Sequence, residues 1–197
     1  MTLTPDYFDR MYAQSPDPWG FTSRWYEQRK YALTVAALPD PAYHSGLEIG
    51  CSIGILTSTL ATRCRRLIGM DPSAAALAAA RDRVPDNVSL RQGSVPGDWP
   101  AGSYDLVVLS EVGYYLEPAD LSRTLDLVQR DLTAGGVIVA CHWRHPVADY
   151  PRSGDEVHDM LADRWPRLSR IAEEDFLLDV LQPGGALSVA GRTGLLG

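Results

Sequence analysis

Leu47-Glu48-Ile49-Gly50-Cys51-Ser52-Ile53-Gly54 decides the reading of this 197-residue chain. A short apolar run carries one acid, stops at a glycine, and gives way to a helical pattern after a second glycine. Glycine at a strand end lets backbone come close to a ligand. The helix that follows sets its N-terminus beside that ligand. Strand, glycine turn and helix are the opening unit of a nucleotide-binding α/β domain. Ser52 stands where a dinucleotide fold needs the glycine that admits a pyrophosphate. Glu48 points the same way: a carboxylate there repels phosphate and suits a cationic amino group, held directly or through water.

Outward from the turn, strand and helix patterns alternate. Strands are predicted over 47–49, 67–70, 88–91, 106–110 and 137–141, and two short ones over 168–172 and 176–181. Helices are predicted over 54–63, 72–83, 118–132 and 155–165. Before the turn, Thr4-Pro5 opens a short helix to about Met11, residues 15–20 form a loop, and a second helix runs from Ser23 to Leu38. Pro39-Asp40-Pro41 ends it. The alternation predicts an α/β, Rossmann-like three-layer αβα sandwich around a mostly parallel seven-stranded sheet. The predicted organisation is a single domain. Residues 1–45 make an N-terminal helical lid, 46–181 the core, and 182–197 a C-terminal tail with no assignable pattern. Ligands of such sheets lie at the carboxyl ends of the strands. Asp71, Gly93, Ser94, Ser110, Glu111 and His142 fall at those ends.

The charge balance is −7, from 25 acidic and 18 basic residues, which argues against a nucleic-acid or anionic-membrane partner. No apolar run is long enough to span a bilayer, and the first residues lack the basic and apolar regions of a signal peptide. Cys51, Cys64 and Cys141 are few, odd in number and outside any CxxC pair. They suit a reducing cytoplasm and packing roles, with no structural zinc. His142 and His145 have no acidic cluster beside them in sequence, so no metal is expected. Lys30 is the only lysine, read as the codon bias of a GC-rich genome.

Asp71 closes the second strand about 20 residues after the glycine turn, the spacing at which an acid meets ribose hydroxyls. Its plainer role is to cap the helix begun by Pro72-Ser73. Trp19, Trp25 and Tyr26 are candidates to wall a cavity, an aromatic face also stabilising a cation. Arg29 is a candidate for a ligand carboxylate. Glu111, Tyr114 and Tyr115 follow the fourth strand and His142 and His145 the fifth, where a carboxylate or imidazole could orient an acceptor and take its proton. The alternatives are a surface or capping role for Glu111, a solvated face for Arg29 and Lys30, and core packing for Trp25, Tyr31, Tyr114 and Tyr115.

Glu48 with Gly50–Gly54, Asp71, Gly93-Ser94-Val95, Leu106–Glu111 and Leu132–Gly136 together resemble the class I S-adenosylmethionine-dependent methyltransferases. The resemblance covers about residues 20–181. It implies that S-adenosyl-L-methionine is the cofactor and S-adenosyl-L-homocysteine its product. It implies cofactor contacts at Tyr26, Arg29, Glu48, Gly50, Cys51, Ser52, Gly54, Asp71, Pro72, Gly93, Ser94, Val95 and Ser110. Ser52 replaces the family's usual middle glycine, and Ser94 stands where an Asp often holds the adenine.

Asp17-Pro18-Trp19, Arg24-Trp25-Tyr26-Glu27, Arg29-Lys30-Tyr31, the glycine turn and Ser110–Leu116 resemble more narrowly the nodulation protein S family. That likeness implies N-methylation of a small-molecule amine, an amino sugar or oligosaccharide first. Glu111 and His142 would then be catalytic, and Trp19, Tyr114, Tyr115 and His145 would bind substrate. O- or S-methylation on the same fold, an NAD-dependent oxidoreductase and a non-catalytic cofactor-binding protein are the rivals. The sequence leaves the oligomeric state open.

Overall fold

The computed structural model describes residues 1–185 and 187–196. Among them, seven strands form one sheet in the order β3-β2-β1-β4-β5-β7-β6. The strands are β1 (Tyr43–Ile49), β2 (Cys64–Asp71), β3 (Val88–Gln92), β4 (Tyr104–Ser110), β5 (Leu132–Trp143), β6 (Arg167–Ala172) and β7 (Phe176–Leu181). β7 runs antiparallel to β5 and β6, and every other pairing is parallel. Strand order reverses between β1 and β4, which places the crevice for a ligand there.

Among the described residues, seven α-helices surround the sheet: α1 (Pro5–Gln14), α2 (Trp25–Ala36), α3 (Ile55–Ala61), α4 (Ala74–Arg81), α5 (Pro118–Asp131), α6 (Gly154–Arg164) and a short α7 (Val189–Arg192) in the predicted tail. Local sequence explains their starts. Proline occupies the first turn of α1 and α5, where its missing N–H has no helical partner to lose. Ser153 and Glu156 close a capping box on α6.

Alternation along β4 divides the core. Leu106 and Val108 face one layer with Leu56 and Leu60 of α3 and with the apolar side of α2. Val107 and Leu109 face the other, with Leu121, Leu125 and Val128 of α5 and Leu161 of α6. All four β4 residues are fully buried. Truncating Leu109 to alanine would cost about 2–5 kcal/mol, because a packed interior collapses poorly onto a void.

The predicted boundary between lid and core shifts. β1 starts at Tyr43, and α2 is a layer helix whose Thr34 is fully buried. The covering role falls to α1 and the loop after it. Among the described residues, no helix is long and apolar enough to cross a membrane.

Candidate active site

A cavity of about 720 Å³ lies at the carboxyl ends of β1 and β4 and is covered by the N-terminal segment. Gly50 ends β1 with φ of 77°. A Cβ there would lie 2.3 Å from Val112 Cγ2, so backbone and space both demand glycine. Ser52 adopts a left-handed φ of 49°, uncommon for a residue with a side chain. Its N–H donates to Asp71 Oδ2 at 2.9 Å, and its hydroxyl pairs with the Tyr12 hydroxyl of α1. A glycine in place of Ser52 would keep the first tie and lose the second.

Asp71 is not the cap of α4. Ser73 is, its hydroxyl accepting from the Ala76 N–H at 3.4 Å. Asp71 Oδ1 accepts from the Ser73 N–H at 2.9 Å, so each carboxylate oxygen holds one backbone donor and keeps further acceptor capacity. Burial pushes its carboxyl up to about 6, against those two N–H groups. Glu48 is 2% exposed, and its Oε2 has no hydrogen-bond partner. Burial raises its carboxyl to about 8, with Asp71 adding to the effect. Both carboxylates line the cavity.

Cys51, Pro72, Gly93, Ser94, Val95 and Ser110 line the same cavity. Burial raises the Cys51 thiol well above its ordinary value, which suits a packing residue. The loop after β3 is pinned by Gly93 N–H to the Asp71 carbonyl at 3.1 Å and Ser94 N–H to Asp98 Oδ2 at 2.9 Å. Gly54 does not line the cavity. It opens α3 with φ of 82°, where a Cβ would press on Ala80 Cβ at 3.1 Å, so it serves helix packing.

Arg29 is a correction. Its guanidinium makes a two-pronged bond with Glu173, at 2.8 and 2.7 Å, outside the cavity. An arginine so engaged is not available to a ligand carboxylate. Arg24, the residue that precedes α2, lines the cavity and has no ion-pair partner among the described residues.

The other half of the cavity is built around Lys30, 2% exposed. Its Nζ lies 2.6 Å from Glu111 Oε1 and 2.9 Å from Glu27 Oε2. Burial works against the ammonium charge, but Glu111 and Glu27 outweigh it and hold its pKa above the ordinary value. Glu111 has a left-handed φ of 58°. Its Oε2 accepts from the Tyr114 hydroxyl and from the Trp143 N–H at 3.1 Å. The ring of Tyr26 lies 5.0 Å from Lys30 Nζ and packs edge-on against Trp143. Trp19, Tyr114 and Tyr115 also line the cavity.

His142 is a second correction. It is fully buried and does not reach the cavity. Its Nε2 accepts from the Gly113 N–H at 3.0 Å, and its Nδ1 lies 3.1 Å from His158 Nε2. His158 Nδ1 in turn bonds Asp179 Oδ2 at 2.8 Å. Burial lowers the His142 pKa well below the ordinary value, with His158 adding to the shift. The ring sets the turn Gly113–Tyr115 and has no path to an acceptor. His145 lies outside the cavity too, paired with Asp175 at 2.8 Å. Sequence reading gave Glu27 and Tyr12 no role and put Lys30 on a solvated face, which its burial overturns. A lone lysine three residues after a glutamate, hence on the same helix face, was the available signal.

The model of the nodulation protein S (NodS) family matches residues 6–144, and the chain belongs to that family. Nodulation protein S of Rhizobium tropici is 30% identical over 127 residues, covering 62% of this chain and 53% of that protein. The chain spans about half the length of the curated relatives it matches. A putative methyltransferase from Pseudomonas syringae is 43% identical, with a TM-score of 0.71 over 80% of this chain and 99% of that one. The N-methyltransferase NodS of Bradyrhizobium japonicum, in complex with S-adenosyl-L-homocysteine, is 25% identical, with a TM-score of 0.83 over 91% and 98%.

Proposed function

We propose that this member of the nodulation protein S family binds S-adenosyl-L-methionine and methylates the amine of a small molecule, amino sugars being the leading class. The observation that carries the reading is the pair Glu48 and Asp71. Both are buried at the glycine turn and neither is paired with a cation among the described residues. Such a pair suits a nucleoside that brings its own ammonium and a cis-diol, and it would repel a pyrophosphate. When bound, S-adenosylmethionine supplies an electrophilic methyl group on a sulfonium.

The chain's own residues do the rest. Asp71 accepts from ribose hydroxyls, Glu48 faces the methionine ammonium, and Gly93, Ser94 and Val95 border the adenine. Arg24 replaces Arg29 at the methionine carboxylate. α1 and the loop that follows act as the lid, fastened by Tyr12 to Ser52. Trp19, Tyr26, Tyr114 and Tyr115 exclude water and align the acceptor, and alignment supplies much of the acceleration in an in-line displacement. Hydroxyl methylation with His142 as base draws no support from its buried place.

Calorimetry tests the cofactor. S-adenosylmethionine and S-adenosylhomocysteine are expected to bind and NAD is not. NAD binding without either methyl-cycle ligand would overturn the reading.

A further inference from the structure

Among the described residues, two polar atoms on the acceptor side of the cavity have no hydrogen-bond partner: the Tyr26 hydroxyl and Glu27 Oε2. Both residues line the cavity. Glu27 is 7% exposed, so its carboxylate is largely withdrawn from water. It stands 2.9 Å from Lys30 Nζ as a charge pair that is out of line for a hydrogen bond. Glu111 differs. Its Oε1 accepts from Lys30, and its Oε2 from Tyr114 and the Trp143 backbone. One lysine therefore faces two carboxylates, and with both ionised the cluster carries one uncompensated negative charge. Burying a charge is costly unless a partner of opposite sign joins it.

We propose that Glu27, and not Glu111, receives the acceptor's ammonium group and takes its proton, with the Tyr26 hydroxyl as the second contact. The inference rests on the N-methylation reading. The steps balance. The ammonium N–H bond breaks and its proton goes to Glu27 Oε2, leaving a lone pair on nitrogen. That pair forms the new N–C bond as the S–C bond breaks with its electrons staying on sulfur. The products are a methylated ammonium and a neutral thioether, and Glu27 later returns its proton to water.

The surroundings suit the role. Lys30 and Tyr31 face Glu27 from its own helix, Glu111 from beyond β4, and Cys141 from β5. Burial raises the Glu27 pKa and Lys30 opposes the rise. A carboxylate so placed accepts a proton more readily than one in water. Lys30 and Glu111 remain as a one-to-one pair when Glu27 is neutralised, so Glu27→Gln is expected to fold.

The test uses the full chain loaded with S-adenosylhomocysteine. It is titrated with matched probes, glucosamine against glucose and benzylamine against benzyl alcohol. The unmodified chain is expected to prefer an amine at least tenfold over its alcohol. Glu27→Gln is expected to lose that preference, and Glu27→Asp to keep part of it, with S-adenosylhomocysteine affinity unchanged and the unfolding temperature of Glu27→Gln no lower than that of the unmodified chain. With the chain loaded instead with S-adenosylmethionine and given the best-binding amine, single-turnover rates should level off at high pH in the unmodified chain. In Glu27→Gln they should keep rising with the fraction of free amine. No amine preference, a preference that survives in Glu27→Gln, or parallel pH profiles would each overturn the proposal while leaving the methyltransferase reading intact. Failure to bind S-adenosylhomocysteine, or to methylate any amine, would instead overturn the reading on which it rests.

Discussion

The cavity holds two pairs of carboxylates, and the fold treats them differently. Glu48 and Asp71 sit at the ends of neighbouring parallel strands, where Asp71 meets backbone N–H groups and Glu48 Oε2 meets no hydrogen-bond donor. Glu27 and Glu111 come from a helix and a strand-end loop, and they share Lys30. The first pair waits for a ligand that carries its own cation and hydroxyls. The second pair is half neutralised already, which suits a site that exchanges a proton. Burial raises the pKa of Glu48, Asp71 and Glu27 alike. What separates the pairs is whether the protein or the ligand supplies the compensating charge.

The comparison breaks most visibly at Lys30. Lys30→Met would leave two buried carboxylates facing each other, and is expected to cost about 3–5 kcal/mol in chemical unfolding. Adding Glu27→Gln to that variant should restore part of the loss. A single variant as stable as the unmodified chain would show that the second pair is not held by charge.

The first pair is tested next through the ligand. Asp71→Asn is expected to weaken S-adenosylhomocysteine binding about 100-fold, about 2.7 kcal/mol, through two charge-assisted bonds to the ribose. Calorimetry measures it. An unchanged affinity would return Asp71 to a purely structural role.

Glu48 predicts a pH signature in the unliganded protein. Its folded value of about 8 lies above its ordinary 4.5. Between those values the folded chain keeps a proton that the unfolded chain has lost, so this group's contribution to stability falls as pH rises. Glu48→Gln removes that fall. The variant should gain about 2–4 kcal/mol relative to the unmodified chain between about pH 5 and pH 8. Parallel stability curves across that window would contradict the burial of an unpartnered carboxylate.

The smallest effect separates two arginines, Arg24 at the start of α2 and Arg29 within it. Arg24→Ala should weaken S-adenosylhomocysteine two- to fivefold, as an exposed charge pair worth about 1 kcal/mol or less would. Arg29→Ala should change it less than twofold, because Arg29 is held by Glu173 outside the cavity. Equal effects would erase the distinction.

Much of this was legible in the residues. The central strands β1 and β4 were legible as apolar runs buried on both faces, whereas edge strand β3, with no buried residue, was legible only from the strand-helix alternation. The two at the far edge were legible because Arg167–Ala172 and Phe176–Leu181 are bounded by polar or proline residues. The positions of Gly50 and Asp71 at the ends of β1 and β2 were legible because they are set locally, whereas the tie from Ser52 to Tyr12 was not. A glycine turn and the acid one strand later are placed by backbone geometry and a fixed βαβ length. Arg29 and His142 were misread for the opposite reason. Arg29 meets Glu173 across 144 positions of sequence, and His142 meets His158 and Asp179 through the packing of α6 on β5 and β7. Such distant partners leave no spacing signal.

The sequence by itself determined the layered sheet and the glycine turn that ends its first strand, since periodicity and short-range geometry suffice for these; the strand order and its reversal between β1 and β4 came from the structure. Only the tertiary structure decided the acceptor half. It turned Lys30, read in the sequence as a mark of codon bias, into the centre of a buried cluster with Glu27 and Glu111, and left His142 outside the cavity. Charge pairing in a desolvated cavity depends on which side chains converge from α2, β4 and β5, and convergence is a property of packing that no local pattern encodes.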